Sequence, residues 1–195
     1  MNEQTNDAFL FVKRKIHYIS QLPESAAKST LAQLRRGAGK HPGSSPELWE
    51  ITLDGLPESF ISKEWQGQPT NGEWAVHIAL TLYALHQQGH HYKTDSMSKD
   101  GEKFGRAIRK LAPTSDDLPR IKRRFDAAVT SESIEELSHH LRGLIQLLKA
   151  DSIRLDYPDL SQDLYWFQTQ KIRDSIRLKW GQDFYRYQKE EENNE

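Results

Sequence analysis

Apolar residues along this chain recur at three- and four-residue steps, and sustained two-residue alternation is missing. That periodicity predicts helices rather than strands. Ala8 to Ser20 and Ser25 to Arg36 read as two amphipathic helices, the second closed by Gly37 and Gly39. Lys40 to Ser45 is a Gly/Pro/Ser loop, and Pro46 to Leu53 is a short helix. Pro57, Gly67 and Pro69 interrupt any regular pattern between that helix and residue 70. Asn71-Gly72 then opens EWAVHIALTLYALHQQG, which is apolar on nearly every face. Such a segment predicts a central buried helix, here closed by Gly89. His90 to Gly101 reads as a polar, mobile loop.

Two short basic helices are predicted next, Glu102 to Ala112 and Leu118 to Thr130, with Pro113 and Pro119 bracketing their connection. Ser133 and Glu136 have capping-box spacing. The helix they start carries Ile134, Leu137, Leu141, Leu144 and Leu148 as one stripe. Pro158 suits the first turn of another helix, with Leu160, Leu164 and Phe167 on one face. A last helical pattern covers Ile172 to Tyr187, either separate from that helix or continuous with it. The fold class is all-α, a compact bundle of roughly eight or nine helices. One helical domain is expected over 1–189, with packed halves at about 1–112 and 113–189, then an acidic disordered tail at 190–195.

Composition narrows the class. The chain has 195 residues, 36% of them hydrophobic, including five Trp and seven Phe, so it can bury a core. It has no Cys, which excludes disulfides and thiolate metal sites. No apolar run approaches bilayer length. The first residues place basic side chains after a very short apolar stretch, the wrong order for a secretory signal, so the cytoplasm is the expected compartment. The formal net charge of −1 hides an uneven distribution: without Glu190, Glu191, Glu192 and Glu195 it becomes +3.

Positive charge concentrates in FGRAIRKLAPTSDDLPRIKRRFDAAVT, from Phe104 to Thr130. Arg106, Arg109 and Lys110 share one side of the first helix, leaving Ile108 and Leu111 for another. Arg120, Arg123 and Arg124 do the same opposite Ile121 and Phe125. If the inward residues pack together, the two rows form one groove-like surface for a polyanion, with Arg able to grip paired phosphate oxygens. The competing reading is a solvated face laced with intrahelical ion pairs. A second basic site, Arg35, Arg36 and Lys40, surrounds Gly37 and Gly39 but lacks the spacing of a phosphate-binding nucleotide loop. It reads equally as a basic helix end favoured by the macrodipole.

The histidines offer an alternative chemistry. His77 and His86 fall on the buried helix, and His90-His91 and His139-His140 are adjacent pairs, but none matches HExxH. Hydrogen-bonded core histidines fit better than metal ligands or general bases. Asp156, Asp159 and Asp163, at steps of three and four, suit a helix start beside Pro158 better than a cation site. For most of Trp166, Trp180, Phe184, Tyr185 and Tyr187 the spacing suits core packing better than base stacking. The residues call for no cofactor, no metal and no catalytic group.

Five segments occur in an order that carries a family resemblance: EWAVHIALTLYALHQQG, FGRAIRKLA, RIKRRFDAAVT, ELSHHLRGLIQLLKA and LDYPDLSQDLYWFQ. Together they resemble the CasB family, small subunits of the type I-E CRISPR surveillance complex called Cascade. The similarity spans about Leu31 to Tyr187. It implies an all-helical, noncatalytic protein that holds guide RNA with its target DNA strand and stabilises the displaced strand. Its implied partners are the other Cascade subunits, the backbone filament above all, and a second copy of itself. Base pairing reads sequence in such complexes, and protein grips backbone and shape. Arg106, Arg123, Arg124, Arg142, Arg35 and Arg36 match basic positions of the family, whereas Lys40, Arg109, Lys110 and Arg120 are nominated by spacing and charge alone. A helical adaptor contacting only proteins is the rival function, and a histidine-based metal hydrolase a more distant one.

Overall fold

A computed structural model describes residues 7–61 and 67–192, with side chains as far as Arg186. Its architecture grows from helix α4, Asn71–His86, whose residues are buried almost continuously from Trp74 to Ala84. A helix apolar on every side must be jacketed on every side. The jacket is built from α1 (Asp7–Gln21), α2 (Glu24–Gly37), α7 (Ile134–Ala150) and α8 (Tyr157–Phe167), all packed on α4. Short α3 (Trp49–Thr52) also touches it. α9 (Gln170–Glu192) runs along α5 (Phe104–Lys110) and α8, and α6 (Leu118–Val129) lies on α7. One apolar cluster draws on both sides of the 112/113 boundary. The described residues hold nine α-helices and no strand; a lone parallel bridge joins Ser98 to Leu155. No described helix is long and apolar enough to cross a membrane.

Several boundaries have local causes that differ from the expected ones. Thr70 and Glu73 form the true capping box, at the start of α4: the Thr70 hydroxyl accepts from the Glu73 amide at 3.2 Å, and the Glu73 carboxylate accepts from the Thr70 amide at 2.7 Å. Ser133 makes only half of one. Its hydroxyl accepts from Glu136 N at 3.1 Å, but the Glu136 carboxylate turns back to Glu132 N. The Pro46 to Leu53 helix resolves into a 3-10 turn, Pro46–Leu48, and the single turn of α3. α8 and α9 are separate, broken at Gln168 and Thr169. α9 continues through Glu190, Glu191 and Glu192, residues expected in an acidic tail; 193–195 lie outside the described residues.

The loop after α4 is pinned rather than mobile. Gln87 is buried, donates to Asp95 O at 2.9 Å and accepts from Met97 N at 2.9 Å, bracketing the loop from inside. Tyr92 and Met97 are buried, and His90 meets Asp95 at 2.8 Å. Polarity alone hid these anchors.

α8 contributes the polar half of the core. Asp156 caps it by accepting from Asp159 N at 3.0 Å, and also accepts from Gly101 N at 2.7 Å. Asp159 receives Lys103 at 2.6 Å and Lys179 at 3.2 Å. Asp163 receives Lys179 at 2.6 Å and the Trp180 indole N–H at 2.7 Å. These bonds tie α8 to the start of α5 and the middle of α9. Burial pushes the Asp163 carboxyl up to about 6 despite the neighbouring Lys179. Trp180 and Phe184 belong to an aromatic cluster: Phe104 meets Trp180 edge-on at 4.8 Å, and Phe125 stacks on Phe184 at 4.5 Å. Tyr185 is exposed, and the Tyr187 side chain lies outside the described residues.

Gly105 decides how closely α5 approaches α9. A Cβ there would collide with the Trp180 carbonyl and the Phe184 amide, which are backbone groups with no room to turn aside. Gly105→Ala should therefore cost at least about 2 kcal/mol, read as a lower urea midpoint. A loss under about 0.5 kcal/mol would show that the two backbones separate freely.

His77 and His86 are core histidines. His77 Nε2 lies 3.2 Å from Gly37 O, and His86 Nδ1 lies 2.9 Å from the Tyr157 hydroxyl. Burial, helped by His90, holds the His86 imidazole down at about 4. Unfolded histidine titrates near about 6.5, so this group's contribution to stability is complete above that value and is lost as pH falls toward 4, up to about 3 kcal/mol. Asp163 acts oppositely in the same window, because its raised pKa costs stability as pH rises toward 6. The comparison of wild type with His86→Leu cancels Asp163. The stability difference between them should shrink by about 2–3 kcal/mol from pH 7 to pH 4, measured by urea unfolding at each pH.

Candidate nucleic-acid interface

The surface is built by two amphipathic helices lying side by side. α6 turns Ile121, Phe125 and Ala128 into the core and leaves Arg120, Arg123 and Arg124 exposed. α7 buries Leu137, Leu141, Leu144 and Leu148 and leaves His139 and Arg142 exposed. Between their outer faces is a hollow of about 290 Å³, bordered by Arg123 and Arg124 from α6 and by His139, His140 and Gly143 from α7. A second hollow, about 180 Å³, is bordered by Lys40 and His41 from the loop after α2, by Trp74, and by His139, Arg142 and Glu135 from α7. His139 belongs to both.

Gly39 makes the second hollow possible. Its φ of +81° is natural only to glycine, and a Cβ there would press on the Arg142 guanidinium, 3.3 Å away. The loop thus lies against Arg142 and brings Lys40 to α7. Sequence positions a hundred residues apart become one surface.

Arg36, Lys40, Arg123, Arg124 and Arg142 make no ion pair or side-chain hydrogen bond with any described residue, and all five are exposed. Of the other nominated cations, Lys110, Arg120, Arg109 and Arg106 are engaged. Lys110 meets Glu102 at 2.7 Å, and Arg120 reaches Asp117 at 3.5 Å. Burial pushes the Glu102 carboxyl up, but Lys110 and Lys99 outweigh it and hold it below its ordinary value. Arg109 donates to the Ala112 carbonyl. Arg106 is half-buried and favours the charged form of Asp183 on α9, against the burial that raises that carboxyl. The α5 row therefore faces α9 and Glu102, and the groove lined by Arg123 and Arg124 is completed by α7. Arg35 and Arg36 end α2 and border neither hollow. Burial, and then Arg36, lower the Arg35 pKa.

His41, His139 and His140 were not nominated for this surface. Grouping the paired histidines with core residues fails here, because Leu137 and Leu141 occupy the inward face of α7. The helical phase that puts those leucines inside puts 139 and 142 outside, a signal present in the sequence. Among the described residues no three His, Asp or Glu side chains gather as potential metal ligands, and Asp159 and Asp163 of α8 receive Lys103, Lys179 and Trp180.

The fold and surface define an all-helical protein with a basic face built from α6, α7 and the loop after α2. The family model for CRISPR-associated protein Cse2 matches residues 30–185, and the chain belongs to that family, the CasB small subunits of type I-E Cascade. The crystal structure of CasB from Thermobifida fusca is similar, with 33% sequence identity, coverage of 91% of this chain and 97% of that chain, and a TM-score of 0.75. The crystal structure of M. ruber CasB shares the fold, with 23% identity, coverage of 94% and 97%, and a TM-score of 0.67. No curated protein sequence matches the chain.

Proposed function

We propose that this chain is a noncatalytic, nucleic-acid-binding small subunit of a cytoplasmic Cascade surveillance complex. It grips the backbone of guide RNA and target DNA and stabilises the R-loop in antiviral defence, beside the backbone subunits and a second copy of itself. The supporting observation is that Lys40, Arg123, Arg124 and Arg142, from three separate segments, meet on one face without carboxylate partners among the described residues. Unpaired arginines on a helical surface bind phosphates and leave base edges unread. Arg36 is exposed at the end of α2, and Arg35, Arg106, Arg109, Lys110 and Arg120 are secondary contributors, because local partners or burial already engage them.

The adaptor reading has its own observation. Trp49 and Leu53 are 44% and 41% exposed on the α3 turn, in a segment with Glu47, Glu50, Asp54 and Glu58 and no Lys or Arg between 41 and 62. An acidic, apolar ridge suits protein rather than phosphate. The two readings divide on salt, since only phosphate contacts weaken steeply as it rises.

Arg123→Ala with Arg124→Ala should leave the fold intact, changing stability by under about 0.5 kcal/mol. In the assembled complex it should weaken binding of matched target DNA by at most about 1.5–3 kcal/mol per contact, less where exposed. The loss should be equal across target sequences, with a shallower salt slope. Unchanged affinity and slope in a complex shown to hold the mutant subunit would remove the pair from the binding surface.

The protein should not cleave DNA or RNA with added Mg²⁺, Mn²⁺ or Zn²⁺. Gel assays of wild type, His77→Ala and Asp163→Ala should be indistinguishable. Cleavage lost in either variant would overturn the noncatalytic assignment.

A further inference from the structure

We infer that His139, His140 and His41 are phosphate-contacting residues, and that nucleic-acid binding at this face takes up protons. The inference rests on the nucleic-acid reading and deepens it. Its basis is continuity: His139 is the shared border of two adjacent hollows, one holding Arg123 and Arg124, the other Lys40 and Arg142. A phosphodiester strand that spans both passes over His139. His139 and His140 lie edge to face, 5.6 Å between centroids, with no hydrogen-bond partner given to either imidazole by the described residues. His41 stands at the far border, edge-on to Trp74 at 5.2 Å, and accepts from Gly43 N at 3.3 Å.

The surrounding charges fix the sign. α6 presents Arg123 and Arg124, α7 presents Arg142 and Glu135, and the loop presents Lys40. Four cations and one carboxylate border the empty face. A bound polyanion neutralises the cations and adds a direct acceptor for each imidazolium N–H. A phosphate oxygen beside an imidazole favours its charged form, and histidine ordinarily titrates at about 6.5. Phosphodiesters stay ionised throughout. Each histidine can take up at most one proton, His41 by giving up the Gly43 N–H that its Nδ1 accepts, so affinity rises as pH falls.

The test uses the isolated full-length protein and a fluorescein-labelled oligo-dT strand, whose bases do not titrate between pH 6 and 8. Binding is read by anisotropy at constant ionic strength. Wild-type affinity should rise by about three- to ten-fold per histidine from pH 8 to pH 6. His139→Gln with His140→Gln should lose most of the rise, with the remainder lost on adding His41→Gln. His139→Arg with His140→Arg, which fixes the charge, should bind at pH 8 about as tightly as wild type at pH 6. A wild-type profile no steeper than that of the triple Gln variant overturns the inference and leaves the nucleic-acid reading standing. Absence of salt-sensitive binding at every pH overturns both.

Discussion

The constraint on which the rest depends is the complete burial of α4. A helix with no polar face is stable only inside a closed jacket, so α1, α2, α7 and α8 must each give it their apolar side. Every jacket helix then has its orientation fixed about its own axis. The outward chemistry of α7 is set by the leucines that face inward, and α6 is oriented in turn by Ile121 and Phe125. Within this jacket the buried polar groups of α8 add direction. Asp159 and Asp163 fix where Lys103, Lys179 and Trp180 lie, which sets α5 and α9 against α8. Breaking such a network leaves charges unpaired inside, which costs more than the network contributes when whole.

The same geometry separates cations that hold the fold from cations that are left for a ligand. α5 and α6 look alike as basic helices. α5 lies along α9 and near Glu102, so its charges find carboxylates and a carbonyl. α6 lies along α7, whose border of the hollow shared with Arg123 and Arg124 carries His139, His140 and Gly143. Neighbours, rather than composition, decide which row stays unpaired. The net charge near zero is consistent with this: acidic residues crowd the α3 segment and the C-terminal end, and the α6/α7 face keeps its positive field.

Much of the fold was legible because helix periodicity is strong here. The all-helical class, the buried α4, the Pro158 start of α8 and the core positions of His77 and His86 all come from spacing and punctuation. What was hidden depends on contacts between distant segments. The 90–101 loop is polar in sequence, yet Gln87 and the buried Tyr92 and Met97 hold it. The Thr70–Glu73 capping box was masked by the more visible Asn71-Gly72 pair. The site was legible as a list of arginines. That Lys40 would meet Arg142, and that histidines would border both hollows, required the packing of α2 against α4 and of α6 against α7.

The family-defining motifs take on a different meaning once placed. In FGRA, Phe104 fills the aromatic cluster and Gly105 lets α5 meet the α9 backbone. The charge of Arg106 favours the ionised form of Asp183 on α9, against the burial that raises that carboxyl. The motif is thus explained by helix packing before any ligand is considered. In RRF, by contrast, Phe125 alone meets the core, and the two arginines before it have no structural partner among the described residues. HHLRG divides likewise: Leu141 is buried, and the residues around it border the hollows. A residue with a structural reason to be where it is argues little for binding. Residues without one, gathered from three segments onto one face, carry the functional argument here.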